Sequence, residues 1–220
     1  MRNTRKSFRK APVASSISIP ILFFFCGLAS GMITAILSMT VLSVEHVGFL
    51  FLVGVSVAYS LAVWNSGRSF STSLARQAGA ALLMVASWPL SLLVFAGILA
   101  IMNSLVSAMP LVNVSLSIGL GAVAGSLCVA LAMSLITKSW ESRIARDMAA
   151  YTCMVAISAY LMERGIKESG LSFRQTLSEW AFTLLLFGLG QAVVSGCCGK
   201  WLADAGIFSP NRAQDTVPQV

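Results

Sequence analysis

Charge is what this chain has least of. Of 220 residues only eight are acidic and one is histidine, and charged residues make up 10% of the whole; a soluble domain carries about 25%. The few charges lie in the tails, between long apolar runs, or at the ends of those runs. A charge at mid-bilayer costs about 2.5–3.5 kcal/mol on insertion scales, so their exclusion has physical meaning. The scarcity also removes chemistry. His46, beside Glu45 in a short turn, reads as a solvated or capping residue, because a metal site needs several ligands gathered together. Cys26, Cys128, Cys153, Cys197 and Cys198 are scattered through apolar segments, where cysteine behaves as a small hydrophobe. No phosphate-binding glycine loop, nucleophile–base pair or carboxylate dyad stands out. The expectation is a protein that is not an enzyme and has no cofactor and no metal.

What the chain has instead is apolar length: 57% of its residues are hydrophobic and its mean hydropathy is +0.83. Six apolar segments follow one another: Ile17–Leu42, Val47–Trp64, Ala78–Met102, Leu111–Thr137, Met148–Met162 and Trp180–Leu202. A helix needs about 20 residues to cross the hydrocarbon. The fifth run is short, and reaches that length only by starting near Ile144 with Arg146 reaching back to the headgroups. The basic start followed by so long an apolar run reads as an uncleaved first helix. The fold class expected is all-α: a polytopic membrane bundle of about six helices in contact with the lipid bilayer.

Basic residues set the expected orientation. Arg2, Arg5, Lys6, Arg9 and Lys10 precede the first segment, Arg68 and Arg76 lie between the second and third, Lys138, Arg143 and Arg146 between the fourth and fifth, and Lys200 and Arg212 close the chain. Opposite them stand only Arg164, Lys167 and Arg174. By the positive-inside rule both termini face the cytoplasm. The net charge of +7 therefore reports topology, and nucleic acid is not an expected partner.

The sequence also echoes itself. Ser66-Gly67-Arg68-Ser69-Phe70 returns as Ser169-Gly170-Leu171-Ser172-Phe173, and the alignment of 66–84 with 169–187 holds eight identities. A looser match pairs Gly27 with Gly121 and Gly31 with Gly125. Self-similarity of this kind points to a 3+3 duplication, dividing the chain into a basic tail (1–16), two three-helix halves (17–109 and 110–204) and a polar tail (205–220). Three helices per half is an odd number, so the halves insert in opposite senses, as in inverted-repeat transporters. The competing account is shared compositional bias. In layout the outline resembles the aquaporins, with a three-helix repeat and a Ser-Gly loop after the second and fifth helices. It departs from them where their loop carries Asn-Pro-Ala, since this chain has Ser71-Thr72-Ser73 and Arg174-Gln175-Thr176. The glutamates of aquaporin helices one and four are missing as well, so the likeness is one of architecture and implies no membership.

Small residues four apart let helix backbones approach where lipid gives no hydrophobic drive. Gly27 and Gly31, Gly121 and Gly125, and Gly188, Ala192 and Gly196 form such stripes, for packing within the bundle or for homo-oligomerisation. Ser30, Thr34 and Ser38 lie beside the first stripe, and Gln191 is a mid-segment amide; together they are the candidate polar lining. Pro89 interrupts the third segment. Either that segment is one kinked helix, or Gln77–Ser87 is re-entrant and the span begins at Leu90. The functional reading is a passive pore or carrier for a small uncharged solute, since coupled carriers usually hold an ionisable group within the membrane. The alternative is a non-catalytic subunit that assembles with other membrane proteins.

Overall fold

The computed structural model describes residues 18–40, 73–106, 108–169 and 180–205. Within them the chain forms five helices: α1 (Ser18–Thr40), α2 (Leu74–Leu105), α3 (Pro110–Thr137), α4 (Ser142–Glu168) and α5 (Trp180–Asp204). No strand occurs among the described residues. Three of the helices, α2, α3 and α5, are long and apolar enough to cross a membrane. At about 1.5 Å per residue, each exceeds the roughly 30 Å of hydrocarbon. The apolar stretch of α1, Ile19–Ile33, is shorter. α4 is as long as α3, but Arg143, Arg146 and Asp147 mark one end and Glu163, Arg164, Lys167 and Glu168 the other. The 47–64 segment lies outside the described residues, so a six-span count and an inverted repeat do not follow from these helices.

α2 runs unbroken through Pro89, which excludes the re-entrant arrangement. Its start is fixed by Ser73, whose hydroxyl accepts from the Arg76 amide at 3.4 Å while its carbonyl accepts from Gln77; a cap of this type satisfies backbone donors that have no helical partner. At the other end Asn113, 1% exposed on α3, donates to the carbonyls of Val106 at 2.6 Å and Met102 at 3.3 Å. The Val106 carbonyl thus gains a partner, the Met102 carbonyl gains a second one beside the Val106 amide, and the short α2–α3 connection is stapled shut. Pro110 opens α3, where its missing amide hydrogen costs nothing. Lys138 ends α3 in the left-handed region at φ 58°, which turns the chain into α4.

α2 packs along α3, α3 along α4 and α1 along α5, while α5 also meets α4 and α3. α2 and α3, α3 and α4, and α1 and α5 run antiparallel, whereas α3 and α5 run in the same direction. Along the α1–α5 seam Gly199 meets Phe23, Gly196 meets Phe24, and Gly188 meets Met32. Consequently the start of α1, the start of α2, the end of α3, the start of α4 and the end of α5 share one end of the bundle. Arg76, Lys138, Arg143, Arg146 and Lys200 collect there. The charges at the far end of α4 pair among themselves, Arg164 with Glu168 at 2.6 Å and Lys167 with Glu163. The main apolar core lies just inside the basic end, built from Ala80 and Met84 of α2, Val129, Met133 and Ile136 of α3, Ile144 and Met148 of α4, and Trp201 of α5.

Candidate ligand cavity

Beyond that core, toward the middle of the bundle, the packing opens. A cavity of about 300 Å³ lies between α2, α3, α4 and α5, at the lower end of the roughly 300–1,000 Å³ usual for small-molecule sites. Its walls are mostly apolar and carry no charged side chain among the described residues. Trp88 lines it and stacks on Phe187 of α5, with ring centroids 5.3 Å apart and planes 21° from parallel. Phe95 and Phe182 add further aromatic surface.

Three of the four wall hydroxyls are committed as donors, Ser91 being the exception. Ser87 donates to the Met84 carbonyl at 2.7 Å, Ser126 to the Val123 carbonyl at 2.9 Å, and Thr152 to the Met148 carbonyl at 2.7 Å. Each bond closes within its own helix, the usual resort of a hydroxyl in an apolar setting. The hydroxyl proton is spent, and the oxygen faces the cavity region as an acceptor only.

Gln191 differs from all of them. It is 5% exposed and lines the cavity, and neither its amide oxygen nor its amide nitrogen has a hydrogen-bond partner. A buried polar group left unsatisfied costs about 1–3 kcal/mol, so two on one side chain are a feature needing a physical reason. Just before Gln191, α5 widens into a π-helical turn at Leu184–Leu189. Such turns insert a residue into the helical register and often mark functional sites.

The remaining sequence-derived positions fall in two groups. The glycine stripes lie at helix seams. A Cβ on Gly31 would collide with the carbonyl oxygen of Phe187 and stand 2.7 Å from its carbon, and one on Gly27 would come within 2.5 Å of the Gln191 carbonyl oxygen. At Gly121 the obstacle is the Ser91 carbonyl at 2.7 Å, and at Gly125 the Ser87 carbonyl at 3.1 Å. Gly188 is tight against Met32 at 3.1 Å, whereas Gly196 has ordinary contact distances. The α1 stripe thus meets α5, and the α3 stripe meets α2.

The candidate lining is divided. Gln191 reaches the cavity, but none of the described side chains of α1 lines it, and Ser30 is exposed on α1. The reason is rotation: with Gly27, Gly31 and Ala35 turned against α5, a residue one step from Gly31 is carried about 100° away. The side chains of Thr34 and Ser38 lie outside those described. So do Ser66, Gly67, Ser69, Phe70, Gly170, Ser172 and Phe173 of the repeated loops, and His46. Ser169 is described; it ends α4, and its hydroxyl donates back to the Ile166 carbonyl at 2.8 Å.

What sequence reasoning missed is the company Gln191 keeps. Trp88 could have been found, since it was the tryptophan set away from the ends of the apolar segments. Ser126 and Thr152 gave no signal of their own. Compared with known proteins, the chain matches no protein-family model, no curated protein and no solved structure.

Proposed function

We propose that the protein is a multi-pass integral membrane protein whose bundle gives passive passage to a small uncharged solute. The observation that carries this reading is an uncharged, largely apolar cavity at mid-bundle, walled in part by three helices long enough to span a membrane. An ion or a charged substrate would need a compensating charge in such surroundings, and the described residues of the walls have none. Among the described residues the walls carry no carboxylate, imidazole, amine or thiol either, which favours a conduit over a catalyst. The basic end of the bundle is the cytoplasmic end by the positive-inside rule, with the ends of α1 and α5 nearest the termini on that side.

Reconstitution into liposomes tests the reading. Uptake of neutral solutes should exceed that of protein-free liposomes, without dependence on a proton or sodium gradient. Equal uptake by the two would overturn it. Reporters fused after Val220 and near Gly170 test the orientation, with cytoplasmic and external readings expected in that order.

The second reading, a non-catalytic subunit of a larger membrane complex, draws on the outer face of α2. Leu93 and Ile101 are exposed there, and no described residue lies within 4 Å of a Cβ on Gly97. Co-purification of a stoichiometric membrane partner in mild detergent would favour it.

A further inference from the structure

The cavity has a polar requirement as well as a size. We infer that Gln191 is the recognition group of a binding site for a mainly apolar molecule bearing one adjacent donor–acceptor pair, a primary carboxamide being the type. This deepens the reading of the cavity as the solute's path and rests on it.

The inference follows from counting what the walls offer. Ser87, Ser126 and Thr152 have spent their protons on the Met84, Val123 and Met148 carbonyls and keep only acceptor capacity. Gln191 has a donor and an acceptor, both unpaired and sealed from solvent. On the described walls the Ser91 hydroxyl and the Trp88 indole N–H are further donors, but only the Gln191 amide holds a donor and an acceptor side by side, both buried and unpaired. A hydrocarbon leaves the amide unpaired, and a ketone satisfies only its nitrogen. A primary carboxamide satisfies both of its atoms in a cyclic pair of hydrogen bonds and retains a second N–H for a wall hydroxyl. The amide plane turns about a soft sp³–sp² torsion, so it can swing from its sealed position into the adjoining space when a partner arrives. Trp88 and Phe95 supply ring surface for the rest of the molecule.

Three probes of similar shape separate the contributions: benzamide, acetophenone and cumene, which offer the amide two partners, one and none. Their binding is measured by calorimetry on the full chain in detergent micelles, for the wild type and for Gln191→Leu, with Gln191→Met as a second variant of near-equal volume. The ratio of wild-type to variant affinity cancels each probe's partition into detergent. Loss of the amide should weaken benzamide about tenfold or more and acetophenone about threefold, at roughly one net hydrogen bond per step. Cumene should bind as well or better. Equal ratios for the three probes, or no binding by any of them, overturn the site.

Liposome flux keeps the two readings apart. Graded binding without facilitated uptake would remove the passage function and leave the amide site standing. Facilitated benzamide uptake that is unchanged in Gln191→Leu would remove the site and leave passage standing.

Discussion

Trp201 and Gln191 are two buried polar side chains on the same helix, and they meet opposite fates. Trp201 is fully buried, yet its indole N–H donates to the Thr137 hydroxyl at 3.1 Å and its ring meets Trp140 edge-on at 5.9 Å. Gln191 is nearly as buried and has no partner at all. The difference lies in what surrounds each. Around Trp201, α3, α4 and α5 close into the apolar core, and the Thr137 hydroxyl, which donates to the Met133 carbonyl, is left with an acceptor to offer. Around Gln191 the hydroxyls of Ser87, Ser126 and Thr152 are tied to their own helices and the space is open. In one region every polar group is accounted for inside the protein; in the other, one group is left to be satisfied by something else. A region of the first kind holds a fold together, and one of the second kind holds a place for a ligand.

The comparison can be broken most forcefully at the α1–α5 seam, which both regions depend on. Gly31→Leu should destabilise by more than the about 1–3 kcal/mol typical of overpacking, because the obstacle is the backbone of Phe187 and not a flexible side chain. Gly97→Leu, with open space around it, is the control. Solubilised yield and thermal unfolding in detergent should separate the two sharply, and similar behaviour would mean that α1 does not pack on α5 as described.

Within the packed region, Trp201→Ala should cost about 3–5 kcal/mol in thermal or chemical unfolding. Thr137→Val keeps the shape and strands the indole N–H, for a smaller loss of about 1–3 kcal/mol. The hollow region should respond with the opposite sign. Replacing the unpaired amide in Gln191→Leu should raise stability by about 1–3 kcal/mol, since it removes buried polar atoms without removing any hydrogen bond. A loss of that size would show that the amide has a partner after all, and the contrast with Trp201 would fall. The smallest effect is expected from Arg146→Gln. Its ion pair with Asp147 at 3.3 Å is exposed, and pairs of that kind are worth about 0–1 kcal/mol, so unfolding should barely shift.

Some of these elements were legible in the residues. The fourth and sixth apolar segments, Leu111–Thr137 and Trp180–Leu202, match α3 and α5 to within a residue or two at each end, because an apolar run of that length has few other ways to satisfy its backbone. α2 begins four residues before its apolar run, where Ser73 can cap it. α4 extends well past Met148–Met162 at both ends, since helix hydrogen bonds do not stop where hydrophobicity does and the charged turns support themselves through i,i+4 pairs. Pro89 lies in a continuous helix, which composition alone left open. The cavity was legible only through Gln191 and, faintly, Trp88. The other walls come from Ser126 and Thr152, two unremarkable hydroxyl residues on different helices, and no local pattern marks a residue for what will stand opposite it.

By itself the sequence determined the material: helical segments, apolar enough that charge is confined to their ends, with glycines spaced so that backbones can meet. These properties are local, set by hydropathy, backbone hydrogen bonding and the absence of a Cβ. Only the tertiary structure decided that Gly31 meets Phe187, that Ser30 turns away from the cavity, that Trp201 finds Thr137 and that Gln191 finds nothing. Those outcomes depend on how each helix is rotated and set against its neighbours, and that is settled by the fit of whole surfaces, in which no single residue carries the information.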